Sequence, residues 1–421
     1  MSATAVPATA SSATVVPLRR NWRFQALWGG GAVANLGVEA VLIAFPLLIL
    51  SITRSPGLAG LFGFVEVGTT VLLMLPAGAL VDRWDRRHVL LATEGLRSLA
   101  NGAVAAAVAF SHLAVGYLVG VAVVLGAATA LGGPARMLIT RAVVPVEQLT
   151  SALSQEEARG GAAALAGPPI GGALFAVSRA FPFLAAAVGF VVSFGCIFFA
   201  APRDKAERPA GSGAKGGPWS AFPTLFDGLR YLFGNRTLRA ALVLISVFYL
   251  TVTAAILMVV VQLQRAHFSP GIIGLAVSGV AGGMLVGSAI VSRLHGKLAP
   301  GRLLLATSAL VAIAVGMLAL PFGPWWVWFM LFFAALPVPA LRVLVDLLIF
   351  RQTPDHSRGR AIAATMTIIG IGSPLGSAAA GTIMQFATVT AAVLAVASLQ
   401  AVVTLVGLFD RHLRTATWPS A

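Results

Sequence analysis

Gly78-Ala79-Leu80-Val81-Asp82-Arg83-Trp84-Asp85-Arg86-Arg87 separates two long apolar segments in a chain of 421 residues of which 10% are charged. Arginines in a short loop between such segments need little explanation, because basic residues gather on one side of a bilayer. Two aspartates at fixed offsets after a glycine carry more information. The flanking runs have the length of a helix that crosses the hydrocarbon core, about 20 residues, and similar runs recur along the chain. The composition agrees: 58% hydrophobic residues and a mean hydropathy of +0.91. Repeated runs predict an all-α polytopic bundle, because lipid forces every backbone polar group to pair inside its own element.

Twelve spans are predicted, at 24–51, 57–81, 88–111, 114–135, 151–177, 180–201, 238–262, 270–292, 302–320, 325–349, 360–385 and 388–409. The formal charge of +15 suggests a nucleic-acid partner only until its placement is read. Alternate loops are basic. One side holds Arg19, Arg20 and Arg23, then the 78–87 loop, Arg136 and Arg141, the linker at 202–237, Arg293, Lys297 and Arg302, Arg351, Arg358 and Arg360, and finally Arg411 and Arg414. The other holds Arg54, Arg179 and Arg265. The positive-inside rule then puts both termini in the cytoplasm, in a multi-pass protein of the plasma membrane. The basicity is topogenic, with some attraction to anionic lipid heads, and no nucleic acid is expected. Trp325, Trp326 and Trp328 open the tenth span as interfacial anchors do. A single cysteine, Cys196, excludes an intramolecular disulfide and any multi-cysteine metal site.

The chain divides in five. Residues 1–20 read as a disordered cytoplasmic tail without the core of a cleaved signal. Residues 21–201 form a first six-helix half and 238–409 a second. The Pro/Gly-rich 202–237 stretch is a cytoplasmic linker whose end, 221–237, reads as an amphipathic helix, and 410–421 is a cytoplasmic C-terminal tail. The halves are related. Ser55-Pro56-Gly57-Leu58-Ala59-Gly60-Leu61 and Ser269-Pro270-Gly271-Ile272-Ile273-Gly274-Leu275 match at five of seven positions, and their offset of 214 also relates Asn21 to Asn235. At that offset Gly78 maps to Ser292, Asp82 to Gly296, Arg83 to Lys297 and Arg87 to Gly301, so only the first copy of the loop keeps its acid.

The 78–87 string resembles the loop-2/3 signature of the major facilitator superfamily, Gly-x-x-x-Asp-Arg-x-Gly-x-Arg-Arg. With Asp85 in place of the second glycine it is similar to the branch that contains macrolide-efflux and siderophore-export proteins. Two further strings support that branch. Gly167-Pro168-Pro169-Ile170-Gly171-Gly172 resembles the fifth-helix signature of exporters, with Ala163 where that signature begins on glycine, and Gly372-Ser373-Pro374-Leu375-Gly376-Ser377 looks like its counterpart. Gln352-Thr353-Pro354-Asp355 through Arg360 resembles the loop before the eleventh helix. The resemblance implies two six-helix halves that rock about a central site. It also implies a cytoplasmic latch of Gly78, Asp82, Arg83, Asp85, Arg86 and Arg87, with Arg136 and Arg358 as basic partners. Gly78 is expected to admit a close neighbouring helix. Gly167, Pro168, Gly171 and Gly172 are expected to form a hinge where proline removes backbone donors.

Glu39 and Glu66 fall near the middle of the first two spans. A carboxylate there is costly unless it is paired or wet, so it marks a cavity. Two readings stay open: a proton-coupling or cation-binding site, or a carboxyl held neutral by Asn35 or by hydroxyls as structural glue. The branch often carries its acid one position earlier, where this chain has Val38. No basic residue is evident at matching depth. Phe45, Phe248, Tyr249 and Thr253, with Thr251, are candidates to line a site for an apolar, drug-like molecule. The phosphate-binding string of an ATP-driven pump, a metal constellation and a nucleophile–base set are absent from the sequence, so neither an enzyme nor a cofactor is expected. The reading is proton-driven export of a small amphipathic drug, antibiotic or siderophore-like compound by a monomer in the lipid bilayer. The alternatives are an importer, a lysophospholipid translocator or a non-transporting scaffold or receptor on the same fold.

Overall fold

The computed structural model describes residues 17–111, 114–203, 230, 234, 236–297, 299–344 and 355–410, and their side chains except at 75, 79, 82, 236, 237, 292–297 and 355–364. Helices form where the hydropathy predicts spans. The first six are α1 (Trp22–Thr53), α2 (Pro56–Arg83), α3 (Arg86–Ala109), α4 (Val115–Val143), α5 (Leu149–Val177) and α6 (Phe181–Ala200). They are followed by α7 (Arg236–Arg265), α8 (Pro270–Val277, resuming after Ser278 as Gly279–Lys297), α9 (Pro300–Met317), α10 (Pro324–Ala335, helical again over 338–344), α11 (Asp355–Phe386) and α12 (Val389–Phe409). No strand occurs among the described residues. Eleven of these segments are long and apolar enough to cross a membrane. The exception is α3, whose first half carries Arg86, Arg87, Glu94 and Arg97.

Local chemistry sets the helix starts. Asn21 caps α1 by accepting from the Phe24 amide at 3.2 Å, and its own amide reaches the Val143 carbonyl at 2.8 Å. Ser55 caps α2 by accepting from Leu58 N at 3.3 Å. Pro56 and Pro270 each occupy the first turn of their helix, where the missing N–H costs nothing. The duplicated Ser-Pro-Gly is therefore a duplicated helix start.

Packing repeats as well. In the first half α1 lies on α5 and α6, α2 on α4, and α3 on α4 and α6; in the second, α7 lies on α11 and α12, α8 on α10, and α9 on α10 and α12. The two sets meet where α2 runs along α11 and α5 along α8, pairs that exchange under the repeat. A buried polar chain ties the second set together. Thr251 Oγ1 donates to Gln400 Oε1 at 3.1 Å, Gln400 Nε2 donates to Ser308 Oγ at 2.6 Å, and the hydroxyls of Ser308 and Thr404 share a bond of 2.6 Å. Such bonds hold membrane helices together where hydrophobicity gives no drive.

One expectation changes here. Of the tail predicted at 1–20, residues Leu18–Arg20 form a turn, and Leu18 is buried with Phe24, Val144 and Ala152. Ordering follows from an apolar side chain that finds a pocket beside the α1 cap. Residues 1–16, most of the linker with its amphipathic segment, the 345–354 stretch with Asp346, and residues 411–421 lie outside the described residues.

Candidate functional site

A cavity of about 160 Å³ sits among α1, α2, α3, α4, α6, α7 and α11. Its walls are mainly aliphatic and aromatic. Phe45 stacks on Phe62 with ring centroids 4.3 Å apart, and Phe183 meets Phe45 edge-on at 4.9 Å. The polar groups that open onto it are few: Glu66 from α2, Arg97 and Asn101 from α3, Thr129 from α4, Thr253 from α7 and Ser377 from α11. Arg97 donates to Thr129 Oγ1 at 3.0 Å, and its guanidinium lies 5.7 Å from the centroid of the Phe190 ring. Asn101 Nδ2 donates to the Arg97 carbonyl one turn earlier at 2.9 Å. Among the described residues no ion pair joins Glu66 to Arg97.

Of the residues singled out in the sequence, Glu66, Phe45 and Thr253 share this cavity. The others do not line it. Glu39 packs at the α1–α5 contact, where a Cβ on Gly167 would collide with the Glu39 side chain. Asn35 is also absent from the wall. Phe248 is only 1% exposed, in the core against Tyr249 at 5.7 Å, and Thr251 is spent in the Gln400 chain. The helices α1 and α2 are apolar on every side, so spacing there gives no sign of which face meets a cavity. Asn101 and Thr129 carry no assignment in the sequence, and Arg97 reads there only as a possible helical partner of Glu94. Arg97 stands beside Glu66 although no basic residue was evident at that depth, and its neighbour Glu94 is not its ion-pair partner.

Glu94 instead pairs with Arg136 of α4 at 2.5 Å, and Arg136 also donates to Ser193 Oγ of α6 at 3.2 Å. That moves Arg136 from the expected latch to a buried pair; Glu94 is 1% exposed. Arg159, near the start of α5, is buried as well. It binds Glu156 at 2.5 Å and donates to the Trp28 carbonyl at 3.3 Å. Both guanidinium groups lie against Gly31 of α1, where a side chain would occupy their space.

The 78–87 loop is tied down within the first half. Asp85 caps α3, accepting from Arg87 N at 2.8 Å and His88 N at 3.4 Å, and meets His88 Nδ1 at 3.0 Å. Arg87 is buried, donating to the Phe198 carbonyl of α6 at 2.5 Å and covering the Phe198 ring at 5.1 Å. At Gly78 a Cβ would meet nothing within 4 Å among the described residues. Arg83 is exposed and Arg86 half-buried. The side chains of Asp82 and Arg358 lie outside the described set.

The α5 motif is not a break. The helix runs unbroken through Pro168 and Pro169. Gly167 and Gly171 instead let α1 approach at Glu39 and Ala40, and Gly172 lets α8 approach at the Pro270 carbonyl. In α11, Gly372 and Gly376 admit α7 at Ser246 and Leu250, while Ser377 meets Gly60 of α2. Each motif thus clamps its own half and touches the other.

Two matching sets of membrane-length helices around an interior cavity are the architecture of a membrane transporter. The chain belongs to the Major Facilitator Superfamily, whose sequence profile matches residues 27–377. It is 26% identical over 391 residues to the multidrug efflux pump Tap of Mycobacterium bovis and of Mycobacterium tuberculosis, covering 87% of each chain. Solved structures share the fold at low identity. The nucleoside transporter NupG superposes with a TM-score of 0.72 at 10% identity, over 94% of this chain and 100% of that one. A bacterial homologue of the human lysosomal transporter Spinster, inward-facing and occupied, superposes with 0.72 at 14%, over 96% and 100%.

Proposed function

We propose that this transporter exports a small amphipathic compound, drug- or antibiotic-like, in exchange for protons, by rocking of residues 21–201 against 238–409 around the cavity. The observation that carries the reading is Glu66, a carboxyl at membrane depth opening onto a mainly apolar chamber. Such a group is retained at a cost, and a cavity is where it earns a role in binding a proton or a cation. The two cargoes compete for one carboxylate, which is the elementary requirement for exchange. Proton binding shifts the halves only if the two end states hold the proton with different affinity. The named activity of the Tap relatives supports efflux as the direction. Glu39 is the second acid, acting at the α1–α5 contact instead of the cavity wall. Asp82 and Arg358 form the latch across the halves on the cytoplasmic side, where both termini lie, and the working unit is a monomer.

The test is flux. The chain in proteoliposomes, with an imposed pH gradient, is expected to move a dye or macrolide against its own gradient and to stop on adding an uncoupler. A pump-deficient host should gain resistance to members of a panel of macrolides, dyes and siderophores. Uncoupler-insensitive movement would sink proton exchange, and absence of flux across the panel would sink export of this class.

A further inference from the structure

We propose that the cavity selects cargo cations that carry at least one N–H, and that Asn101 is the acceptor that reads it. The inference rests on the cavity being the cargo site.

Asn101 is 0% exposed and opens onto the cavity. Its Nδ2 donates to the Arg97 carbonyl at 2.9 Å, which fixes the amide orientation, since the flipped form would set two oxygens against each other. Its Oδ1 is thereby left without a partner among the described residues. A buried amide oxygen without a donor is a standing cost that any entering donor relieves. One N–H of the neighbouring Arg97 is held by Thr129 Oγ1, and its guanidinium lies by the Phe190 ring. Behind it, Arg136 is spent on Glu94. Glu66, on the facing helix, has Arg97 nearby but makes no ion pair with it among the described residues, so its carboxylate is open to an entering cation. Besides the hydroxyls of Thr253 and Ser377, which bring donors of their own, the wall offers one charged acceptor, Glu66, and one buried neutral acceptor without a partner, Asn101 Oδ1. A protonated amine can satisfy both, through its charge and its N–H. A quaternary ammonium can satisfy only the charge.

The experiment compares two probes of equal charge and closely similar apolar surface. These are 4-phenylbutyl-dimethylammonium, with one N–H, and 4-phenylbutyl-trimethylammonium, with none, titrated calorimetrically into the purified full chain at neutral pH. The first is expected to bind about fivefold tighter, the worth of one net hydrogen bond. Asn101→Leu should bring the two affinities together by weakening the first probe alone, and Glu66→Gln should weaken both while keeping their ratio. Equal affinities in the unmodified chain, which needs no variant to fold, overturn the proposal. So does a ratio that survives Asn101→Leu. Flux of both probes in proteoliposomes with equal binding overturns this inference alone. Failure of both probes to bind or move overturns the cargo reading along with it.

Discussion

Gly60 of α2 and Gly381 of α11 cross with no room for a side chain: a Cβ on Gly60 would stand 2.8 Å from the Gly381 Cα and 2.5 Å from the Ser377 carbonyl oxygen. Its repeat counterpart, Gly274 of α8, crosses α5 at the Pro168 carbonyl as tightly. The duplicated Ser-Pro-Gly-x-x-Gly turn therefore delivers one glycine from each half onto the other, at the end of the bundle away from the termini. Gly60→Leu should hold that end apart. Overpacking at a backbone crossing costs about 1–3 kcal/mol, enough to lower the closed population roughly tenfold. In a Cys196→Ala, Thr253→Cys background, maleimide should reach the cavity from outside faster in Gly60→Leu, and flux should fall. Unchanged labelling together with unchanged flux would remove the crossing as a gate.

Gln385 adds a polar contact at the same end. Its Oε1 accepts from Ser55 Oγ at 2.9 Å and from Gly57 N at 3.2 Å, across the two halves. Gln385→Ala removes both bonds, each worth about 0.5–1.5 kcal/mol. The same labelling assay should show a several-fold gain, smaller than for Gly60→Leu. Ser55→Ala should add little to the labelling rate on top of Gln385→Ala, because the two share one contact across the halves, while loss of the α2 cap shows separately as lower stability. Full additivity in that double mutant would count against the contact.

The contrast between these residues and the cavity shows what the sequence could carry. Helix number and order follow from apolar run length, and the Ser-Pro-Gly starts follow from capping chemistry, both local in the chain. Partners across helices do not. Glu94 and Arg97 are three apart on one face, yet Glu94 selects Arg136, 42 residues away, and Arg97 selects Thr129. Which neighbour a side chain meets depends on helix rotation, and a helix apolar all round gives no stripe from which to read that rotation. Phe45 faces the cavity while Phe248 packs into the core, and residue type alone does not separate them. The polarity of α3 was the available signal: Glu94, Arg97 and Asn101 recur at about one-turn spacing along its middle.

The Glu94–Arg136 pair should be a stability element. Removing one partner leaves a buried charge alone, which typically costs 3–5 kcal/mol. Arg136→Ala is expected to lower thermal stability in detergent strongly, and Glu94→Gln with Arg136→Met to recover much of the loss. A double variant no more stable than Arg136→Ala would show that the arginine acts through something other than Glu94.

Asp85 separates a cap from a latch. As the α3 cap, Asp85→Ala should cost about 1 kcal/mol of stability, and Asp85→Asn or Asp85→Ser should restore most of it, with transport following stability in each. If Asp85→Asn were as stable as the parent but inactive, its charge would act in gating beyond the two amide bonds it accepts.

Glu66 and Glu39 give the sharpest comparison, because one opens onto the cavity and the other packs against Gly167. Glu66→Gln keeps size and removes charge, so it should leave folding intact and abolish uphill movement of a cationic dye while downhill exchange persists at a reduced rate. Glu39→Gln should retain pH-driven uphill flux, its effect confined to the fit of α1 on α5. The decisive measurement is dye-driven proton movement, read with a pH-sensitive fluorophore trapped in the proteoliposomes. Proton movement lost in Glu66→Gln and kept in Glu39→Gln assigns coupling to the cavity wall. The reverse pattern would put the proton at the α1–α5 contact, where Gly167 and Gly171 join the two helices, and would make that contact, instead of the cavity, the place where protonation changes the packing.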